Sequence, residues 1–135
     1  MKAYALTDIG RVRPINQDVQ FASTEPVGPL PNLFVVADGM GGHQAGDFAS
    51  RFLTENLVSY IRGIKEGEPV SVLRAGIEEV NGRLFRLSSE KQELSGMGTT
   101  LVAATIQDDV LYVANVGDSR LYVIERSGIP QITRP

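Results

Sequence analysis

Asp38 closes an apolar run, Leu33-Phe34-Val35-Val36-Ala37, and is followed by Gly39-Met40-Gly41-Gly42-His43. Such a run predicts a strand buried on both faces, which delivers the acid at its C-terminal end. Three glycines within four residues let the backbone turn sharply and approach a ligand closely. A carboxylate beside an accessible peptide carbonyl is a donor pair for a hard cation. The plainer alternative is a strand-to-helix turn with the Asp as a cap, because Asp-Gly is a common turn pair. A nucleotide-binding loop is not expected, since the segment has no glycine at the third position of the dinucleotide spacing and no lysine where a phosphate-cradling loop would put one. His43 is the one histidine of the chain. It cannot build a metal site alone, and stands either as a general acid or as a solvent-facing loop residue.

Three further segments carry polar residues at suggestive spacing. In Asp8-Ile9-Gly10-Arg11-Val12-Arg13-Pro14-Ile15-Asn16-Gln17-Asp18, two arginines sit between two acids around a turn. A guanidinium matches phosphate oxygens in a bidentate way; a solvated loop with surface ion pairs is the ordinary alternative. Gly96-Met97-Gly98-Thr99-Thr100 is a flexible lead into a strand. Asn115-Val116-Gly117-Asp118-Ser119-Arg120 is either a hairpin turn or a further carboxylate, Asp118, aimed at a metal cluster.

Composition narrows the chemistry. The chain has 135 residues, a length that suits one domain. With 13 Lys+Arg against 16 Asp+Glu the net charge is −3, and no basic block exists to neutralise a row of phosphates, so nucleic acid is not an expected partner. There is no Cys, which excludes disulfide scaffolds, thiolate-bound zinc and thiol catalysis. Carboxylates then remain as metal ligands, and they favour Mg²⁺ or Mn²⁺ over zinc. No signal peptide or membrane span is visible, and a cytoplasmic location is expected.

The elements that must position these residues read as strands, then helices, then strands. Ala3 to Thr7, Val19 to Ser23 and Leu33 to Ala37 are strand candidates, with Pro26, Gly28, Pro29 and Pro31 marking a loop between the last two. Ala49, Phe52, Leu53, Leu57, Tyr60, Ile61 and Ile64 make one helical stripe, stopped at Gly67. Pro69 suits the first turn of a second helix, whose stripe is Val70, Leu73, Ile77, Val80, Leu84 and Leu87. Thr99 to Gln107 and Val110 to Val116 predict a hairpin turning at Asp108-Asp109. Arg120 to Glu125 and Ile129 to Thr133 are later strand candidates. This order predicts an α+β fold, with antiparallel sheet and two antiparallel helices on one face.

Singly these motifs are weak, but their order and spacing are specific. Asp8-Ile9-Gly10, Arg13 with Asn16-Gln17-Asp18, Val36 to His43, Gly96 to Thr100 and Asn115 to Arg120 together closely resemble the bacterial PPM, or type 2C, metal-dependent Ser/Thr protein phosphatases. The resemblance runs from residue 3 to about residue 133. It implies a type 2C β-sandwich flanked by helices, and hydrolysis of phosphoserine and phosphothreonine in proteins. It implies Asp38 as the carboxylate bridging two Mn²⁺ or Mg²⁺ ions, and the Gly39 carbonyl as a ligand to one of them. Arg13 matches the phosphate-gripping arginine, Asp18 an acid holding a metal-bound water, and Asp118 an acid linked to a third metal. The implied partners are phosphorylated proteins, with a Ser/Thr kinase as biological counterpart. Two metals can activate a water, align it in line and neutralise phosphate charge, with no covalent enzyme intermediate.

Three departures qualify the resemblance. Gln17 stands where many relatives have Glu, and it cannot ionise. Met40 stands where eukaryotic relatives have a His proposed as general acid, and Met cannot give a proton. Family members also continue past residue 135, supplying two more metal-binding aspartates. Residues 1–135 are therefore expected to be the N-terminal portion of the domain, truncated before the C-terminal metal motifs, with weak metal binding and impaired activity. Sheet edges and apolar faces left without their partners would invite self-association. The rival readings are a non-catalytic fragment that binds partners or itself, and a metal-dependent hydrolase of small phosphates.

Overall fold

The computed structural model of the chain describes residues 18–40, 45–91 and 98–116. The elements there are β1 (Asp18–Ser23), β2 (Leu33–Met40), α1 (Ala45–Arg62), α2 (Pro69–Glu90), β3 (Gly98–Gln107) and β4 (Val110–Val116). The strands form an antiparallel sheet in the order β1-β2-β3-β4. Both helices flank it, so the predicted α+β architecture is what the chain adopts. The strand candidates Ala3 to Thr7, Arg120 to Glu125 and Ile129 to Thr133 lie outside the described residues.

Side chains alternate across a strand, and that alternation sets the layers. Leu33 and Val35 of β2 and Leu101 and Ala103 of β3 face the helices. Leu53, Leu57 and Ile61 of α1 and Leu73, Val80 and Leu84 of α2 meet them there. Each such fully buried leucine or isoleucine contributes roughly 1.5–3 kcal/mol relative to exposure, so this one layer supplies most of the drive to fold. The expectation that β2 is buried on both faces is corrected. Val36 is 51% exposed, and Phe34, Val36 and Asp38 share the face turned from the helices. The strand also outruns its apolar run. Asp38, Gly39 and Met40 remain in the ladder, opposite Thr100, Thr99 and Gly98, so the chain has not yet turned at Gly39.

The helices follow their predicted stripes with two differences. α1 ends at Arg62 rather than at Gly67. Its last turn tightens, with the N–H groups of Gly63 and Ile64 donating to the carbonyls of Tyr60 and Ile61 at 3.1 and 3.0 Å. In α2, Pro69 occupies the first turn as expected. Val70 is exposed instead of buried, while Val72 and Gly76 take core positions. At Gly76 the helices pack closely: a Cβ there would lie 2.8 Å from Leu57 Cδ1. A longer side chain would push α2 off α1.

The β3-β4 hairpin turns at Asp108 and Asp109, both left-handed, with φ of 53° and 62°. That is the type I′ conformation that matches strand twist. The segment between β1 and β2 is more than a loop. Val27 and Leu30 exchange two backbone hydrogen bonds, of 2.9 and 3.1 Å, and both are buried. Gly28 between them has φ +56° and lies against the end of α1. Asn32 closes the segment onto β3: its Oδ1 accepts from Ile106 N–H at 2.7 Å and its Nδ2 donates to the Ile106 carbonyl at 2.9 Å. Thr105 Oγ1 donates to the Asn32 carbonyl at 2.7 Å.

Candidate functional site

The antiparallel ladder brings distant parts of the sequence to one end of the sheet. β1 starts there at Asp18, β2 ends there, β3 starts there and β4 ends there at Val116. Asp18 and Asp38, twenty positions apart in sequence, are direct cross-strand partners. Asp38 is also the direct partner of Thr100 on β3. One row across three strands thus reads Asp18, Asp38, Thr100. α1 begins only a few residues after β2, so its positive N-terminal end follows the same end of the sheet.

Asp38 is half-buried on the face turned from the helices, and Gly39 next to it is buried. Thr100 is buried, and its Oγ1 donates to the Asp38 carbonyl at 3.5 Å, a long contact that ties the end of β2 to β3. Thr100 was expected only to begin a strand. Its place beside Asp38 depends on the β2-β3 register, which residue spacing does not reveal.

The oxygens here suit a hard divalent cation in kind: carboxylate, peptide carbonyl and hydroxyl. Their number is small. Among the described residues no three of His, Cys, Asp and Glu gather into a metal-holding group. Asp38 and Gly39 are placed together, and the Asp18 backbone is placed opposite them. Arg13, His43 and Asp118 lie outside the described residues. β4 ends two residues before Asp118, at the same end of the sheet as Asp38.

An α+β layer carrying an Asp-Gly at the end of a central strand, with a second Asp opposite, defines the class of the chain, and comparison with known proteins gives the family. The protein phosphatase 2C family profile matches residues 12–133. The chain belongs to the PPM, or PP2C-type, Ser/Thr phosphatase family. It is 37% identical to the serine/threonine phosphatase stp of Listeria welshimeri over 141 aligned positions, covering 98% of this chain and 54% of that protein. It is 32% identical to the serine/threonine protein phosphatase PstP of Mycobacterium tuberculosis, covering 96% of this chain and 24% of that protein. The crystal structure of Stp1 from Staphylococcus aureus superposes with a TM-score of 0.83 at 38% identity, covering 95% of this chain and 51% of that one. A PstP catalytic domain in complex with two manganese ions superposes with a TM-score of 0.76 at 33% identity, covering 92% of this chain and 51% of that one. The chain spans about half the length of the stp phosphatase it matches.

Proposed function

We propose that residues 1–135 form the N-terminal portion of a metal-dependent phosphatase domain acting on phosphoserine and phosphothreonine in proteins. The observation that carries this is the register that sets Asp18 directly opposite Asp38 at the sheet end, in a chain belonging to this family. Asp38 and the Gly39 carbonyl are the groups that would hold Mn²⁺ or Mg²⁺. When bound, such ions supply water activation and charge neutralisation on the phosphate. Asp18 and Asp118 add carboxylates around them, and Arg13 grips the phosphate oxygens with its fork. Thr100 holds the end of β2 against β3, which steadies the backbone from which Asp38 and Gly39 act. Phosphorylated proteins made by a Ser/Thr kinase are the proposed substrates. The proposed location is the cytoplasm; no helix among the described residues is long and apolar enough to cross a membrane.

Asp38 faces no third described acid, so hydrolysis by these 135 residues alone is proposed to be slow. The test is hydrolysis of para-nitrophenyl phosphate and of a phosphothreonine peptide with added Mn²⁺. We expect a slow, metal-dependent rate that falls at least about 100-fold in Asp38→Ala, the loss of several kcal/mol of charge stabilisation. Hydrolysis that needs no metal, or is unchanged in Asp38→Ala, contradicts the assignment. Hydrolysis of the small ester with none of the peptide would instead favour a hydrolase of small phosphates. No hydrolysis by either protein favours the non-catalytic fragment.

A further inference from the structure

β1 is an edge strand among the described residues, paired with β2 and with no other described strand. Its sequence, Asp18-Val19-Gln20-Phe21-Ala22-Ser23, contains neither the Lys nor the Pro that commonly guards an open edge. A groove of about 430 Å³ runs between this strand and α1, lined by Val19, Phe21, Thr54, Glu55, Val58 and Arg62 among others. Its wall holds an unusual group. Thr54 is 3% exposed, and its hydroxyl has no hydrogen-bond partner among the described residues. A buried hydroxyl left this way is costly.

The charges along the groove have an order. β1 and α1 both run away from the Asp38 end of the sheet, because each is antiparallel to β2 or follows it back. Arg62 stands over the Phe21 ring, with its guanidinium carbon 6.0 Å from the ring centroid. Glu55 is two helical turns earlier, about 10 Å nearer the Asp38 end, on the Val19 side. Both are exposed, and neither forms an ion pair among the described residues. Among the described residues the groove therefore carries an acid without an ion-pair partner at one end and a base without one at the other.

We propose that β1 pairs antiparallel with β1 of a second copy of this chain. The two-fold axis passes at Gln20, so that the sheet continues across both protomers. Residues opposite each other in a ladder share a face, and this axis sets Val19 opposite the partner's Phe21, both on the helix side. The same axis brings Glu55 to the partner's Arg62, and Arg62 to the partner's Glu55, as a self-complementary interface requires. An unrelated strand could use the same edge, but would meet this charge order only by coincidence. The proposal goes beyond the hydrolytic reading and is read by mass, so either can fail alone.

Sedimentation velocity over a concentration series tests it. A concentration-dependent dimer is expected. Glu55→Arg and Arg62→Glu each set like charges together at two symmetric contacts, and should each weaken the dimer about tenfold. The double variant Glu55→Arg/Arg62→Glu restores opposite charges and should return to wild-type association. A monomer at every concentration overturns the proposal, as does a dimer unchanged by the single swaps or not restored by the double one. Hydrogen exchange on the wild-type chain needs no variant: β1 amides should gain protection as the dimer fills, and concentration-independent exchange in β1 also overturns it.

Discussion

Gly28→Ala is expected to destabilise the chain by about 4 kcal/mol, enough to leave much of it unfolded. Two causes act together. The backbone at Gly28 has φ +56°, where a side chain is strained. A Cβ there would also run into the Ile61 carbonyl oxygen, and would lie 2.8 Å from the Ile61 carbonyl carbon and 3.3 Å from the Ile64 carbonyl oxygen. These are backbone atoms at the end of α1 and in the turn that follows it, so no side-chain rotation can make room. Relief requires lifting the Val27–Leu30 turn from α1, which uncovers two residues that are 1% and 0% exposed. Urea unfolding of Gly28→Ala beside Gly63→Ala checks it. At Gly63 the nearest atom to a new Cβ is 3.5 Å away, an ordinary contact, so that variant should stay within about 0.5 kcal/mol of wild type. Equal midpoints for the two variants would contradict the close approach.

Asn32→Ala should cost about 3 kcal/mol. Asn32 is 4% exposed, and its side-chain amide serves both the N–H and the carbonyl of Ile106. Alanine would leave both backbone groups unpaired, and Thr105 Oγ1 would lose its 3.1 Å contact to Oδ1. Two part-buried backbone groups left without these partners cost more than the loss of one exposed hydrogen bond. Asn32→Ala should also weaken the latch between the head of β2 and the tail of β3. Its amides there should exchange faster than those at the Asp38 end. Uniform exchange along both strands would mean the latch is not local.

Much of the frame was legible in the sequence because its signals are periodic. The α1 stripe through Leu53, Leu57 and Ile61 repeats at helical spacing, and the acidic Asp108-Asp109 turn separates two strand-forming runs. The Asp38-Gly39 signal was legible because acid and glycine mark a strand end by type. What escaped depends on distance in sequence. Thr100 meets Asp38 through strand register, Asn32 meets Ile106 across 74 positions, and Gly76 is buried because Leu57 happens to face it. Val27 and Leu30 were hidden by the turn residues around them, Pro26, Gly28, Pro29 and Pro31, whose chemistry announces a loop but not what it buries. β2 looked covered on both sides because an apolar run does not say which face is covered.

Mn²⁺ binding is the most direct test of the claim that Asp38 and Gly39 hold the metal. The free-ion electron paramagnetic resonance signal would be titrated with the wild-type chain and with Asp38→Ala, after circular dichroism shows that both are folded. We expect weak binding by the wild-type chain and none by Asp38→Ala. Undiminished binding by Asp38→Ala would contradict the assignment of the site, and two tightly held ions in the wild-type chain would contradict the reading of these residues as part of a larger site.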